Sequence, residues 1–240
     1  VYIGGEAFGL RAKAKNFSME DMKKGVEFAH AHGVKVHVTV NILAHNDDLP
    51  GVEEYLKELK EVGPDALIIA DPGVFELAKE ICPEIQRHVS TQANNTNYAT
   101  YQFWWKQGAS RVVTARELSL EEIRRMHETS PIEIESFIHG ALCYSYSGQC
   151  LMSSILGGRS GNRGRCAQPC RLPYQTVLCG ERKTAGQQKR NPGKGKKEVC
   201  PLSLKDISTI EILPQILDAG VTSLKIEGRM KQPGYTAGVT

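Results

Sequence analysis

The most constraining feature of this sequence is its rhythm. Short apolar runs alternate with amphipathic stretches in units of roughly 25–35 residues. The runs are Val1 to Gly5, Val34 to Val40, Ala66 to Ala70, Arg87 to Gln92, Arg111 to Ala115, Ile132 to Ile138 and Val221 to Ile226. Each has strand length, and VKVHVTV (residues 34–40) alternates as a strand does. Helical patterns lie between them. Ser18 caps the first, with Asp21 three residues on. Gly51 to Val62 turns Tyr55, Leu56, Leu59 and Val62 inward. Val74 to Ile81 stops at Cys82-Pro83, and Asn97 to Gln107 closes at Gly108. Ser119 and Glu122 read as a capping box. Leu204 to Ala219 reads as a last helix despite Pro214. Strand–helix–strand order means parallel strands with right-handed crossovers. About seven strands are visible, with room for another inside residues 172–203. A closed barrel and an open doubly wound sheet both fit that count. No G-x-G-x-x-G follows a strand, which weakens the dinucleotide-binding form.

The chain is long enough for one large domain or two small ones. No apolar run reaches the length of a membrane span, and no signal peptide opens the sequence. Val1 begins inside a strand pattern and Thr240 ends equally abruptly, so the sequence reads as a truncated domain. Seven cysteines without a secretion signal suit a reducing cytoplasm, not a disulfide framework. The formal net charge is only +3. The stretch Gly180–Glu198 concentrates positive charge, with seven Lys/Arg against Glu181 and Glu198. Such a stretch is a solvated loop or an arm that meets RNA phosphates.

The rhythm breaks after Ile138. Four cysteines follow, Cys143, Cys150, Cys166 and Cys170, spaced C-x6-C, x15, C-x3-C among Gly, Arg, Asn and Ser. No helical or strand period covers this stretch, and it has little apolar surface to bury. An inorganic centre held by four thiolates would order it. Structural zinc prefers two tight knuckles, and only the second pair here is tight. An iron–sulfur cluster accepts longer, irregular spacings. Zinc, a cluster and unliganded thiols remain open on spacing alone.

These residues carry a resemblance. Glu135, Phe137, Gly140, Ala141, Leu142, Cys143, Gly148, Cys150 and Ser153 resemble the signature of peptidase family U32, the collagenase-like proteins. His88–Ala93, Ala115–Ser119 and Lys225–Arg229 are similar to other blocks of that family, so the resemblance covers nearly the whole chain. The branch it most resembles is the bacterial tRNA uridine hydroxylases. The resemblance implies a TIM-like (β/α) barrel over residues 1–240, with residues 141–203 inserted after the sixth strand. It implies a 4Fe-4S cluster on Cys143, Cys150, Cys166 and Cys170. It also implies oxygen-independent hydroxylation of a tRNA (or rRNA) uridine, with prephenate, a small dicarboxylate, as hydroxyl donor. Cys82, Cys179 and Cys200 fall outside the ligand pattern, although Cys179 or Cys200 in place of Cys170 is the main alternative.

In a parallel barrel the strand C-termini gather the chemistry. Asn41, His45, Asp71, Gln92, Asn94, Arg116, Glu117, His139, Glu227 and Arg229 fall at those ends. Arg116 and Arg229, with Arg11 or Lys225, suit a dianion, because guanidinium forks match carboxylates. Asn41, His45, Gln92, Asn94, Lys225, Glu227 and Arg229 are the substrate-binding candidates. His139, Glu135, Arg116 and Glu117 are the catalytic candidates, with His139 a proton donor or a partner of the cluster. The family name also offers a peptidase. Neither H-E-x-x-H nor G-x-S-x-G occurs, and a thiolate bound to iron cannot also attack a peptide. Two further alternatives are ubiquinone hydroxylation with a paralogous partner, and a non-catalytic RNA-binding module.

Overall fold

The computed structural model describes residues 1–12, 14–174, 199–228 and 231–240. The basic stretch 180–198, Cys179 and Arg229 lie outside the described residues.

The rhythm becomes a parallel sheet. Strands β1 (Tyr2–Gly4), β2 (His37–Val40), β3 (Ala66–Ile69), β4 (Gln86–Val89), β5 (Arg111–Val113) and β6 (Glu133–Gly140) pair in chain order, all parallel. Helices α1 (Met19–Ala31), α2 (Leu49–Val62), α3 (Pro72–Ile81), α4 (Tyr98–Gln107) and α5 (Leu120–Thr129) form the crossovers. Their starts are chemically explicit. Ser18 Oγ accepts from Asp21 N–H at 3.1 Å. Asp71 accepts from Gly73 and Val74 N–H ahead of α3, and Pro72 begins that helix where its missing N–H costs nothing. Ser119 and Glu122 close the capping box at α5.

Between β6 and the next parallel strand the chain leaves the sheet, makes the short helix α6 (Met152–Gly157), and returns through β7 (Ile207–Ser208) and α7 (Leu213–Asp218). The strand β8 (Ser223–Glu227) then pairs parallel with β6, and α8 (Pro233–Val239) follows. The helix expected over Leu204–Ala219 is a correction. Only Leu213–Asp218 is α-helical, with Pro214 in its first turn; Ile210–Ile212 is a 3-10 turn and Ile207–Ser208 pairs antiparallel with β6. Ile207, Ile210, Leu213 and Ile216 recur every third residue, which satisfies the tighter turn as well as an amphipathic helix.

The sheet has two faces. Val38, Val40, Leu67, Ile69, Val89, Val112 and Ile134 pack outward against Met22, Val26, Leu56, Leu59, Phe75, Trp104 and Ile123 of the helices. Residues of the opposite parity line a concave interior that is polar below and opens above. Among the described residues no backbone pairing joins β8 to β1, so hydrogen bonding does not close the sheet. The two edges meet instead through side chains: the Lys225 ammonium stands 4.3 Å from the centre of the Tyr2 ring.

Candidate active site

The C-terminal strand ends surround a recess lined by Tyr2, Thr39, Ile68, Val113, Phe137 and Lys225 from the strands. Leu10, Arg11, Asn41, Ser90, Thr91, Gln92, Arg116 and Glu227 complete its lining. Its enclosed part measures about 40 Å³, and about 440 Å³ with the open mouth included. Arg116 dominates its chemistry. The side chain is only 7 % exposed and Nη2 lies 3.5 Å from Glu227. The guanidinium carbon stands 4.0 Å over the Phe137 ring. Nε and Nη1 are buried with no hydrogen-bond partner. Buried donors left unmatched are costly and rare, so they mark a place that an acceptor is suited to fill. Arg11 reaches Glu227 at 3.7 Å, so one carboxylate faces two guanidinium groups. Asn41 is held from both sides: its amide accepts from Leu10 N–H and donates to Ser90 Oγ.

Beneath the recess lies a charged cluster inside the sheet. Lys225 Nζ donates to Glu135 at 2.6 Å, Arg111 donates to it at 3.2 Å, and Ser223 Oγ at 2.8 Å. Burial alone would raise the Glu135 carboxyl, but the Lys225 ammonium, Ser223 and Arg111 outweigh it and hold the group at about 2. His88 is 1 % exposed and edge-on to His37, 4.7 Å between ring centres. Burial lowers His88 to about 3 and His37 to about 4, with Arg111 acting in the same direction. Both imidazoles are therefore neutral near pH 7.

The cysteine segment is fastened across the mouth of the sheet. Ser147 is buried, and its N–H and hydroxyl both donate to Glu117 at 3.0 Å. Gly148 abuts the Gln92 backbone so closely that a Cβ there would collide with it. Asn162 C=O accepts from Leu43 N–H, and Arg163 makes a two-pronged pair with Asp48 at 2.5 and 2.9 Å. That pair and the His45 N–H hold the Asp48 carboxyl at about 2. Gly164 seats against the Gly9 carbonyl. The segment thus crosses the loops after β1, β2, β4 and β5.

Cys143, Cys150, Cys166 and Cys170 are all free thiols, exposed or half-buried. Burial pushes the Cys170 thiol up; Arg171 opposes this, and Cys166, Cys143 and Cys150 add to it. Among the described residues no three His, Cys, Asp or Glu side chains converge on a single-ion site. Gln168, in the left-handed region at φ 57°, turns its N–H to Cys166 Sγ at 3.4 Å. Arg171 donates to Leu142 O at 2.6 Å and Leu204 O at 2.7 Å, pinning the segment's start to the chain's return.

The predicted residues fall into distinct places. Arg116, Asn41, Gln92, Lys225 and Glu227 share the recess. Glu135 lies below it, fully ion-paired. Glu117 and Asn94 are bonded to each other at 2.9 Å and hold the cysteine segment. His45 is exposed and begins a 3-10 turn outside the recess. His139 points elsewhere. A bulge between Phe137 and His139 sets His139 level with Ile226, not Glu227, and its ring faces Tyr235 of α8 at 5.7 Å. Sequence reasoning missed Ser147, Arg163 and Arg171, whose partners lie 29 or more residues away. It also missed Tyr2, Thr39 and Ser90, which strand parity alone would have placed inside.

A family model for peptidase family U32 matches residues 1–240. The chain belongs to peptidase family U32. Among its U32 relatives, the tRNA hydroxylation protein P1 of Bacillus subtilis (strain 168) is 44 % identical over all of this chain and 56 % of its own length. The 23S rRNA 5-hydroxycytidine synthase of Escherichia coli (strain K12) is 41 % identical over all of this chain and 34 % of its own length. The chain therefore spans about half or less of these U32 relatives. The solved structure of the U32 peptidase Mk0906 matches 58 % of the chain and 60 % of its own, with a TM-score of 0.50 at 18 % identity, a likeness of fold. No described helix is long and apolar enough to cross a membrane.

Proposed function

We propose that this U32 chain is the catalytic part of an RNA hydroxylase. It places a hydroxyl on a pyrimidine of tRNA or rRNA, with a 4Fe-4S cluster on Cys143, Cys150, Cys166 and Cys170 and a dicarboxylate such as prephenate as donor. The observation that carries the reading is Arg116. Two of its buried donors lack an acceptor in the recess, and its own backbone N–H donates to Ser147 Oγ of the cysteine segment. Nε and Nη1 lie on different edges of the guanidinium, so a ligand with several anionic oxygens, such as a dicarboxylate, would offer each its own acceptor. Arg11 and Arg116 share the single carboxylate of Glu227, which leaves a net positive charge there, and Asn41 and Gln92 offer amide groups to polar parts of the ligand.

The donor set suits the cluster. Four free thiols in one segment supply the ligand type and number that such a cluster takes, at spacings longer and less regular than two zinc knuckles. Gln168 N–H supplies a hydrogen bond to a ligand sulfur, and such bonds tune cluster potentials. Replacing a ring C–H by C–OH removes two electrons from the base; the hydroxyl donor would have to take up that pair as its C–O bond breaks, and a cluster, when bound, would relay electrons one at a time. The names of the U32 relatives, which refer to tRNA hydroxylation and 5-hydroxycytidine synthesis, support the reaction class. A TIM-like barrel whose β1 and β8 edges meet through the Tyr2 and Lys225 side chains completes this reading of the fold.

The test has two parts. Protein purified without air is assayed for iron and acid-labile sulfide, with about four of each per chain expected. Nucleosides of RNA from a strain lacking the protein are then measured by mass spectrometry. Full retention of 5-hydroxyuridine and 5-hydroxycytidine refutes the reaction, and zinc alone refutes the cluster.

A further inference from the structure

Residues 136–180 contain no Asp or Glu. The described part of that stretch nevertheless exposes large apolar side chains. Tyr144 is 57 % exposed and Tyr146 is 65 % exposed, and neither ring meets another aromatic ring or a cation among the described residues. Leu151, Ile155 and Leu156 at α6 are exposed as well. Apolar surface of this kind on a segment fixed at both ends signals a partner. The fixing is firm on either side of the tyrosines: Arg171 grips Leu142 O, and Glu117 grips Ser147.

The charge around this surface selects the partner. Of the four arginines between residues 141 and 174, Arg163 is neutralised by Asp48 and Arg171 is spent on carbonyls and Ser203. Arg159 and Arg165 have no ion pair among the described residues. Both sit on the same folded unit as α6: Arg159 N–H donates to Ser153 O, and Ala167 N–H, two residues beyond Arg165, donates to Ser153 Oγ. Tyr144 adjoins Cys143 in the chain and Arg165 adjoins Cys166, so a ring and a cation each stand next to a cysteine of the segment. Exposed rings, unpaired arginines and no carboxylates form the pattern by which single-stranded nucleic acid is held. Bases stack on rings, and phosphates meet cations.

We infer that Tyr144 and Tyr146 form a stacking platform for unpaired RNA bases beside the cysteine centre, with Arg159 and Arg165 holding the flanking phosphates. The inference rests on the RNA reading above and adds the surface that presents the substrate. A protein partner is less suited, because the segment has no carboxylate of its own and the neighbouring Glu117 and Asp48 are engaged by Ser147 and Arg163, which leaves a peptide's lysines and arginines little to pair with.

The probe is a fluorescent 12-nucleotide single-stranded oligouridylate, titrated by anisotropy against protein purified without air. Tyr144→Ala and Tyr146→Ala are expected to weaken binding about 5- to 100-fold each, the range for loss of one base stack. Tyr144→Phe and Tyr146→Phe keep the ring and stay within about two-fold. Arg165→Ala lowers the salt dependence of binding by about one ion. Far-ultraviolet circular dichroism and iron content of each variant report whether the fold survives. Should the alanine variants misfold, native protein photocrosslinked to 5-iodouridine RNA must label Tyr144 or Tyr146. Native affinity in both alanine variants, or crosslinks only elsewhere, overturns the platform and leaves the RNA reading standing. No RNA binding by native protein overturns both. Concentration-dependent dimerisation abolished by Tyr146→Ala, with RNA binding unchanged, assigns the surface to a second copy instead.

Discussion

The Glu117 carboxylate receives both the N–H and the hydroxyl of Ser147, each at 3.0 Å, across 30 residues of chain. This contact joins the end of the β5 loop to the start of the cysteine segment. Glu117→Ala leaves the buried Ser147 N–H without an acceptor, a cost of about 1–3 kcal/mol. Hydrogen exchange is expected to accelerate over residues 141–150 while β2 and β3 stay protected. Glu117→Gln retains one acceptor oxygen and gives an intermediate result. Unchanged exchange in the alanine variant would remove Glu117 as the fastening point.

Gly140 sits at φ +115°, and a Cβ there would lie 2.7 Å from the Glu227 carbonyl oxygen. Gly140→Ala meets both a backbone penalty and a collision with β8. The expected loss is about 2 kcal/mol or more, a fall in Tm of roughly 4–8 °C for a chain of this size. Calorimetry of the single variant decides it.

Acid stability is set inside the sheet. His88 and His37 have folded values of about 3 and 4 against an ordinary 6.5, so below 6.5 the unfolded chain takes up protons that the folded chain refuses. Glu135 at about 2 against 4.5 adds stability that is complete above 4.5 and disappears as pH falls toward 2. Both effects lower stability with acid, the histidines first. His88→Phe is expected to flatten the fall between pH 6.5 and 4 while leaving the fall below 4.5. Urea midpoints at pH 7, 5 and 4 measure both limbs.

Arg116→Ala removes the two unmatched donors offered to an anionic ligand. Affinity for a dicarboxylate such as prephenate, read by calorimetry, is expected to fall about 10- to 100-fold, corresponding to the ~1.5–3 kcal/mol of a hydrogen bond to a charged group. Arg116→Lys restores charge without the planar pair of donors and recovers only part of that loss. Equal affinity in all three proteins would assign the unmatched donors to water.

Local chemistry was legible in the sequence. Ser18 and Ser119 sit where helices begin because their side chains accept the first free N–H groups, a relation spanning three residues; Asp71, expected on the chemical face, caps α3 in the same way. Parallel order followed from alternation, and the strand ends led to Arg116, Asn41 and Lys225. Longer-range geometry was hidden. One extra residue at the Ile138 bulge reverses the parity of His139, and nothing local announces it. Glu135 lies on the same strand as the family signature, yet its role inside the sheet depends on Lys225, 90 residues away. The straps through Ser147, Arg163 and Arg171 are invisible for the same reason.

The seam between β1 and β8 has a mechanical consequence. Every other neighbouring pair of parallel strands is held by a backbone ladder, which resists sliding with several bonds loaded at once. At the seam the Tyr2 ring, the Lys225 ammonium and the Arg11–Glu227 pair bear the load one at a time. A force that separates the first strand from the last would open the molecule there at low tension, and the recess would widen before any ladder broke.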